Sequence, residues 1–135
     1  MPVLSRLVQF TEARQSVITH NIANLSTPNF RTIDVSVDGF RSQLGEAVDR
    51  RRRRVNPTRG ELPLDDSRQV KFGEQSLSLR PAQIGRNVTF HDRNNRDLER
   101  LMQDLAENAL AHNASVQLLR SRFDILRTAI RERVT

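Results

Sequence analysis

The side chains of this sequence that could do chemistry are three histidines, a few acidic pairs and a run of arginines. Histidine binds metals where neighbouring residues supply further ligands at a regular spacing, and His20, His91 and His112 show no such spacing. His112 falls within an apolar stripe, which favours a helix interface over a metal ligand. The sequence therefore predicts no metal site.

The acidic residues do not indicate an active site. Asp65 and Asp66, and Asp104 with Glu107, are pairs of the kind that solvated loops and helix faces carry, and nothing in the sequence places them around a pocket. There is no glycine-rich phosphate loop, nucleophile elbow or His-Glu helix motif. We expect no enzyme, no catalytic or cofactor-binding residue and no cofactor.

The arginine run at Arg50–Arg54 supplies five of the positive charges in a chain whose formal net charge is +6. Adjacent arginines can neutralise several phosphates, so a basic helical nucleic-acid-binding protein is one alternative. Against it, the run falls in a predicted linker that continues to Gly60, and the sequence has no Trp or Tyr on which bases could stack. No nucleic acid is expected as a partner.

Two asparagines, Asn21 and Asn24, lie on one face in the last turns of a predicted helix, although asparagine is a poor helix former. Thr27–Pro28 then stops the helix, and Asn29 tolerates a left-handed backbone. These residues fit either a fraying helix end whose amides hold the following turn, or a motif with a role in assembly.

Apolar stripes at helical spacing predict a long helix at each end of the chain. The first spans residues 3–25 and would be about 35 Å long. The second follows a predicted N-cap at Asn94 and continues to residue 135 without Gly or Pro, a helix of nearly forty residues and roughly 55 to 60 Å. The simplest arrangement is an antiparallel, coiled-coil-like hairpin. Because the second helix is longer, part of its stripe must meet other subunits.

The middle of the chain is predicted to form a small irregular or β segment that projects from the end where the two helices are connected. Ser36 or Asp38 would cap a short helix. Short segments follow around residues 70–72, 77–79 and 87–90, and the first and last of them would be the strands of a small hairpin. The fold class is mainly α, with an N-terminal helix in residues 1–30, a variable middle in 31–94 and a C-terminal helix in 95–135.

The composition is typical of a protein whose hydrophobic core is completed by contacts with partner subunits. Hydrophobic residues make up 36% and aromatics 4% of the chain, which is little for a compact core, and much of residues 49–69 has the composition of a disordered segment. The N-terminus lacks a positively charged start followed by a long apolar run, so no cleaved signal peptide is expected. No stretch is long and apolar enough for a membrane span.

The segment from Asn21 to Arg31 resembles the signature of the bacterial flagellar rod and hook axial proteins, Asn-Asn-Ile-Ala-Asn-x-x-Thr-Pro-Gly-aromatic-basic. His20 stands where the signature has its first Asn, and Asn29 where it has Gly, a conservative change at positive φ. The residues matched to this assembly motif are Asn21, Ile22, Ala23, Asn24, Thr27, Pro28, Asn29 and Phe30.

The C-terminal stripe is similar to that of the proximal-rod member of the family. The resemblance implies a structural subunit of the proximal rod that assembles helically, helps to transmit torque from motor to hook, and lies in the periplasmic part of the basal body. It implies type III export without a cleaved signal peptide, and terminal helices that become ordered on assembly. The implied partners are copies of the chain, FlgC and further rod proteins, the adaptor FliE and the export gate, without membrane insertion. A generic coiled-coil adaptor is a third interpretation.

The stripes also predict which residues pack between helices or subunits. Residues of the first helix, from Val3 to Val17, would meet residues of the second, from Leu105 to Leu126, within or between subunits. The predicted packing residues are Val3, Leu7, Phe10, Val17, Leu98, Met102, Leu105, Asn108, Leu110, Leu119, Phe123, Leu126 and Ile130.

Overall fold

The computed structural model describes residues 2–57, 60–83 and 93–134, and in the last range the side chains of residues 98–133. The described helices and strands are, in chain order, α1 (Pro2–Ala23), β1 (Ile33–Asp34), α2 (Val37–Arg52), β2 (Val70–Phe72), β3 (Leu77–Leu79), β4 (Ala82–Gln83) and α3 (Arg93–Val134). The predicted fold class, mainly α with long terminal helices and a small β-containing middle, is confirmed.

Helices α1 and α3 pack against each other in antiparallel orientation. Thr11 contacts His112, Gln15 contacts Asn108 and Arg14 lies near Asp104, so residue numbers rise along one helix as they fall along the other. α3 has 42 residues and already includes the predicted N-cap Asn94, because it begins at Arg93. The register places Pro2 opposite about Ser121.

The hydrophobic core lies between α1 and the middle of the chain. Phe10 and Phe40 stack with ring centroids 3.9 Å apart and an interplanar angle of 5°. Buried side chains of the loop before β2 and of β2 itself, Leu62 and Val70, complete this cluster, and the N-terminal Val3 packs against it. The middle segment therefore lies alongside α1 and does not project from the connected end of the helices, which corrects the prediction.

Helix α2 begins at the predicted cap. The Ser36 hydroxyl accepts a hydrogen bond from the Gly39 N–H at 2.9 Å, and Phe40, Leu44 and Ala47 are buried on the inner face. The helix continues to Arg52, so the first part of the arginine run is helical, not a linker as predicted. Three arginines in the last turn favour this extension because they complement the partial negative charge of the carbonyl end.

The short strands form two antiparallel pairs. β2 pairs with β3, Phe72 opposite Leu77, and β1 pairs with β4, Ile33 opposite Gln83. The strand predicted at residues 70–72 is present, and the strand at residues 77–79 was not predicted. The predicted hairpin partner, residues 87–90, lies outside the described part. The pairing of β1 with β4 was not predicted, since two-residue strands carry no usable periodicity.

Candidate assembly surfaces

The buried amide of Asn21 joins the end of α1 to strand β1. Asn21 is 1% exposed. Its Nδ2 donates to the Ile33 carbonyl oxygen at 2.6 Å, and its Oδ1 accepts from the Ile33 N–H at 3.0 Å. Both ends of the amide are thus satisfied by one backbone residue, as burial of a polar group requires. The contact fixes where the chain leaves the helix.

Asn24 holds the turn that follows. It lies just beyond the end of α1 at Ala23, and not within the last turns of the helix as predicted. Its Nδ2 donates to the His20 carbonyl oxygen at 2.9 Å, and its backbone carbonyl accepts from the Thr27 N–H at 2.9 Å. Asn29 then has a φ of 61°, which confirms the left-handed conformation predicted for it.

The other residues of the motif surround this turn. Ile22 and Phe30 are half-buried, while Ala23, Thr27 and Pro28 are exposed. The ring of Phe30 packs edge-on against His20, with centroids 5.6 Å apart, so the residue that departs from the family signature has a contact within the turn. The motif is therefore internal at Asn21 and solvent-accessible at its tip.

A buried ion pair that sequence reasoning missed ties α1 to β1. Arg14 donates from Nε and Nη2 to the two carboxylate oxygens of Asp34, at 3.1 and 2.9 Å. Asp104 of α3 lies 3.9 Å from the same guanidinium. The three side chains come from three elements, so neither periodicity nor local spacing could have brought them together.

The pKa shifts in this cluster follow from burial and charge. Burial by itself lowers the pKa of Arg14, but the hydrogen bond to Asp34 and the charges of Asp34, Asp104 and Glu107 together raise it. Burial raises the pKa of the Asp104 carboxyl, and the attraction of Arg14 offsets this only in part. Arg14 therefore stays charged, while Asp104 is held with its ionised form disfavoured.

Hydrogen bonds between polar side chains also join α1 to α3 next to this cluster. Thr11 Oγ1 lies 3.0 Å from the Leu7 carbonyl oxygen and 2.9 Å from His112 Nδ1; a hydroxyl that donates to the carbonyl accepts from the ring nitrogen. Asn108, which is 3% exposed, donates to the Thr11 carbonyl oxygen and to Gln15 Oε1, both at 2.8 Å. The prediction that His112 is a helix-interface residue is confirmed.

The predicted packing residues divide into three groups. In α1, Phe10 is buried against Phe40 of α2, with Val3, Leu7 and Val17 half-buried. In the part of α3 that precedes residue 120, Asn108 is buried and Leu105 and Leu119 are half-buried. The remaining predicted residues are exposed: Leu98, Met102, Leu110, Phe123, Leu126 and Ile130.

The last part of α3 carries a bare apolar stripe. Residues 120–133, which we term the α3 overhang, are all exposed, and no described segment packs on them. Phe123, Leu126 and Ile130 are 53%, 50% and 63% exposed. At helical spacing they continue the line of Leu101, Asn108 and Leu119, the face with which α3 meets α1. The overhang is therefore an extension of an existing interface.

The arginine run offers a different surface. Arg50 donates to Asp65 Oδ2 at 2.6 Å and Arg52 lies 3.8 Å from Asp49, while Arg53 and Arg54 are exposed. At least two of the five arginines thus already have carboxylate partners within the chain. This reduces the charge available to phosphates.

Among the described residues, no three or more histidine and acidic side chains are grouped closely enough to bind a metal ion; His91 lies outside these residues. None of the described helices combines the length and the apolar character needed to cross a bilayer.

The described structure is thus dominated by a pair of helices that are joined by buried polar contacts and extended by the exposed apolar end of α3. The sequence is similar to the flagellar basal body rod protein FlgB of Bacillus subtilis (strain 168), with 27% identity over 127 residues, which cover 94% of this chain and 89% of that protein. No protein-family model matches the sequence. The aligned length includes most of the middle segment.

Proposed function

We propose that this chain is a structural subunit of the proximal rod of the bacterial flagellar basal body, equivalent to FlgB. The observation that carries the proposal is the similarity to FlgB along 94% of the chain. The paired terminal helices and the α3 overhang support it, because a subunit of a helical assembly needs one face fixed within the subunit and another left for its neighbours.

In this proposal the function is packing between subunits. Burial of a Phe, Leu or Ile side chain contributes about 1.5 to 3 kcal/mol, and the overhang presents three such side chains that are half exposed or more. Docking them against neighbouring subunits would build a stiff helical wall, which is what transmission of torque from motor to hook requires. The tip of the turn at Thr27–Pro28 would supply a further lateral contact.

The partners and location follow from the same assignment. The chain would leave the cell through the type III export gate without a cleaved signal peptide and assemble in the periplasmic rod. Its neighbours would be copies of itself, FlgC and further rod proteins, with FliE at the base. It would need no cofactor, no catalysis and no membrane insertion of its own.

The deciding experiment deletes the gene in its host and examines basal bodies by electron microscopy. We expect the rod to be lost while the inner-membrane ring remains, and the wild-type gene to restore it. Phe123→Ala is expected to fail to restore the rod, although its side chain is half exposed. The matched control is Val55→Ala, which truncates a side chain that is 98% exposed and lies away from the overhang.

Two results would contradict the proposal. A deletion strain that still builds rods would exclude a rod subunit, and motile flagella from Phe123→Ala would exclude the overhang as the interface. A mobility-shift titration with DNA at physiological salt tests the nucleic-acid alternative, in which Arg50–Arg54 would give tight binding that weakens steeply as salt is raised.

A further inference from the structure

The charges of the α3 overhang are arranged around its apolar stripe. The overhang contains five arginines and two acidic residues, a net charge of +3. At helical spacing, Arg120 and Arg127 border one edge of the stripe and Arg122 and Arg133 border the other. The two acidic residues, Asp124 and Glu132, fall on the opposite side of the helix. A helix docked on this stripe would therefore have arginines along both flanks.

The net charge of α3 changes sign beyond the point where the N-terminus of α1 packs on it. Over residues 98–119 the helix carries Glu99, Asp104 and Glu107 against Arg100, a net charge of −2. Its partner there, α1, carries two arginines and one glutamate, a net charge of +1, and Arg14 lies 3.9 Å from Asp104. The paired half of α3 thus meets a helix of opposite charge. The overhang continues the same apolar stripe but has a positive net charge, so a helix that is complementary to it would be acidic.

We propose that the occupant of the α3 overhang is an amphipathic helix of a different protein, antiparallel to α3 and acidic along the flanks of its apolar face. The proposal rests on the proposed function, since it names the chemistry of the neighbour that the rod subunit would bind there. The antiparallel orientation follows from continuity, because the occupant would extend the interface that α1 makes with α3. About four turns of helix would cover the overhang.

A second overhang of the same chain fits this surface poorly. Two overhangs packed together would bring net charges of +3 and +3 along one another, and like charges across an interface oppose association. A lipid surface is a second alternative, because basic amphipathic helices also bind anionic membranes. The structure favours a helix, since the stripe is narrow and continues a line that a helix already covers.

The test uses the full chain and two designed helical peptides of about 18 residues, a length that spans the overhang. Both peptides carry the same Leu and Ile stripe; one has Glu and the other Lys at the flanking positions. Binding of each labelled peptide is followed by fluorescence anisotropy at low and at physiological salt. We expect the acidic peptide to bind roughly tenfold more tightly, with a preference that weakens as salt rises.

Charge-reversal variants distinguish recognition of the peptide's charges from a general affinity for its apolar stripe. Arg122→Glu with Arg127→Glu is expected to reverse the preference toward the basic peptide, and circular dichroism checks that the helix content is unchanged. Val55→Ala, which truncates a side chain that is 98% exposed beyond the end of α2, is expected to leave both affinities unchanged.

The proposal is overturned if both peptides bind equally, if neither binds, or if anionic vesicles bind the chain through the overhang and the acidic peptide does not compete. It is also overturned if the chain dimerises through the overhang more tightly than it binds the acidic peptide. These failures are distinct from failure of the proposed function, because a gene whose deletion abolishes the rod remains a rod gene whatever the peptides show.

Discussion

The side chain of Asn21 fixes the position of strand β1 relative to the end of α1. Its amide satisfies both backbone groups of Ile33, which an ionised carboxylate could not do because it has no hydrogen to donate. Sequence reasoning singled out the residue because asparagine is unfavourable inside a helix. It could not identify the partner, Ile33, which lies twelve residues on in the two-residue strand β1.

Removing that amide gives the first prediction. Asn21→Ala leaves the Ile33 N–H and carbonyl without their partners in a buried position, which is expected to lower the free energy of unfolding by about 2 to 3 kcal/mol. Asn24→Ala is the matched control, since its amide bonds lie in an exposed turn and its loss is expected to be smaller. Urea denaturation of both variants measures the difference. Equal losses would contradict the role given to Asn21.

The Asp104 carboxyl gives a prediction about pH. Its pKa is raised in the folded chain above the ordinary value of 3.8, chiefly by burial, despite the nearby Arg14. Between these two values the folded state binds more protons than the unfolded state, so the free energy of unfolding falls as pH rises through the folded pKa. Asp104→Asn cannot ionise, and it is therefore expected to gain stability relative to the wild type as pH rises.

Urea denaturation of wild type and Asp104→Asn from pH about 4 to about 7 checks the sign. Asp34 and Glu107 disfavour the ionised form of Asp104, while Arg14 and Arg100 favour it, so the measured slope reports the sum of these effects. Asp124→Asn, on the exposed overhang, is the control and is expected to leave the slope unchanged. A difference that shrinks with rising pH would show that Arg14 outweighs the burial.

At the scale of elements, α2 was predictable because its signals are local. Ser36 caps the helix and Phe40 and Leu44 lie on its buried face, each within a few residues of the next. The C-terminal end was mispredicted, because a run of like charges suggested a linker. In the structure the carbonyl end of the helix and the carboxylates of Asp49 and Asp65 offset that repulsion.

The cap of α2 gives the third prediction. Ser36→Ala removes the hydroxyl that accepts from the Gly39 N–H, and loss of such a cap costs about 1 kcal/mol of stability. Ser42→Ala lies on the exposed part of the same helix and is expected to be neutral or slightly stabilising, since alanine is the better helix former. Thermal denaturation of the pair tests this; equal melting temperatures would exclude a capping role.

At the scale of the whole molecule, the middle segment does more than connect the two terminal helices beyond the turn at the end of α1, because it packs against α1. Arg6 donates to the carbonyl oxygens of Gly73 and Ser76, both at 2.7 Å, Phe10 stacks on Phe40, and Arg14 and Asn21 bind β1. The middle segment thus contacts α1 along most of the length of that helix. Long-range contacts of this kind have no sequence signature, because the partners lie up to seventy residues apart.

This arrangement implies that the two terminal helices differ in stability within the free subunit. α1 is held on one side by the middle segment and on the other by α3, whereas residues 120–133 of α3 are exposed on every side that the structure describes. A helical stretch of about fourteen residues without tertiary contacts is marginal in water. The family resemblance led us to expect poor order in both terminal helices of a monomer; from these contacts we expect it to be greatest in the overhang.

Hydrogen exchange followed by mass spectrometry tests the difference directly. In the free chain, amides of residues 120–133 are expected to exchange far faster than those around the buried residues Leu101, Asn108 and Ser115 of the same helix, because local opening costs little free energy where no side chains are buried. Binding of a partner helix is expected to slow exchange in the overhang only. Equal protection along α3 in the free chain would mean that the overhang is already covered, and then its apolar stripe could not be the assembly surface.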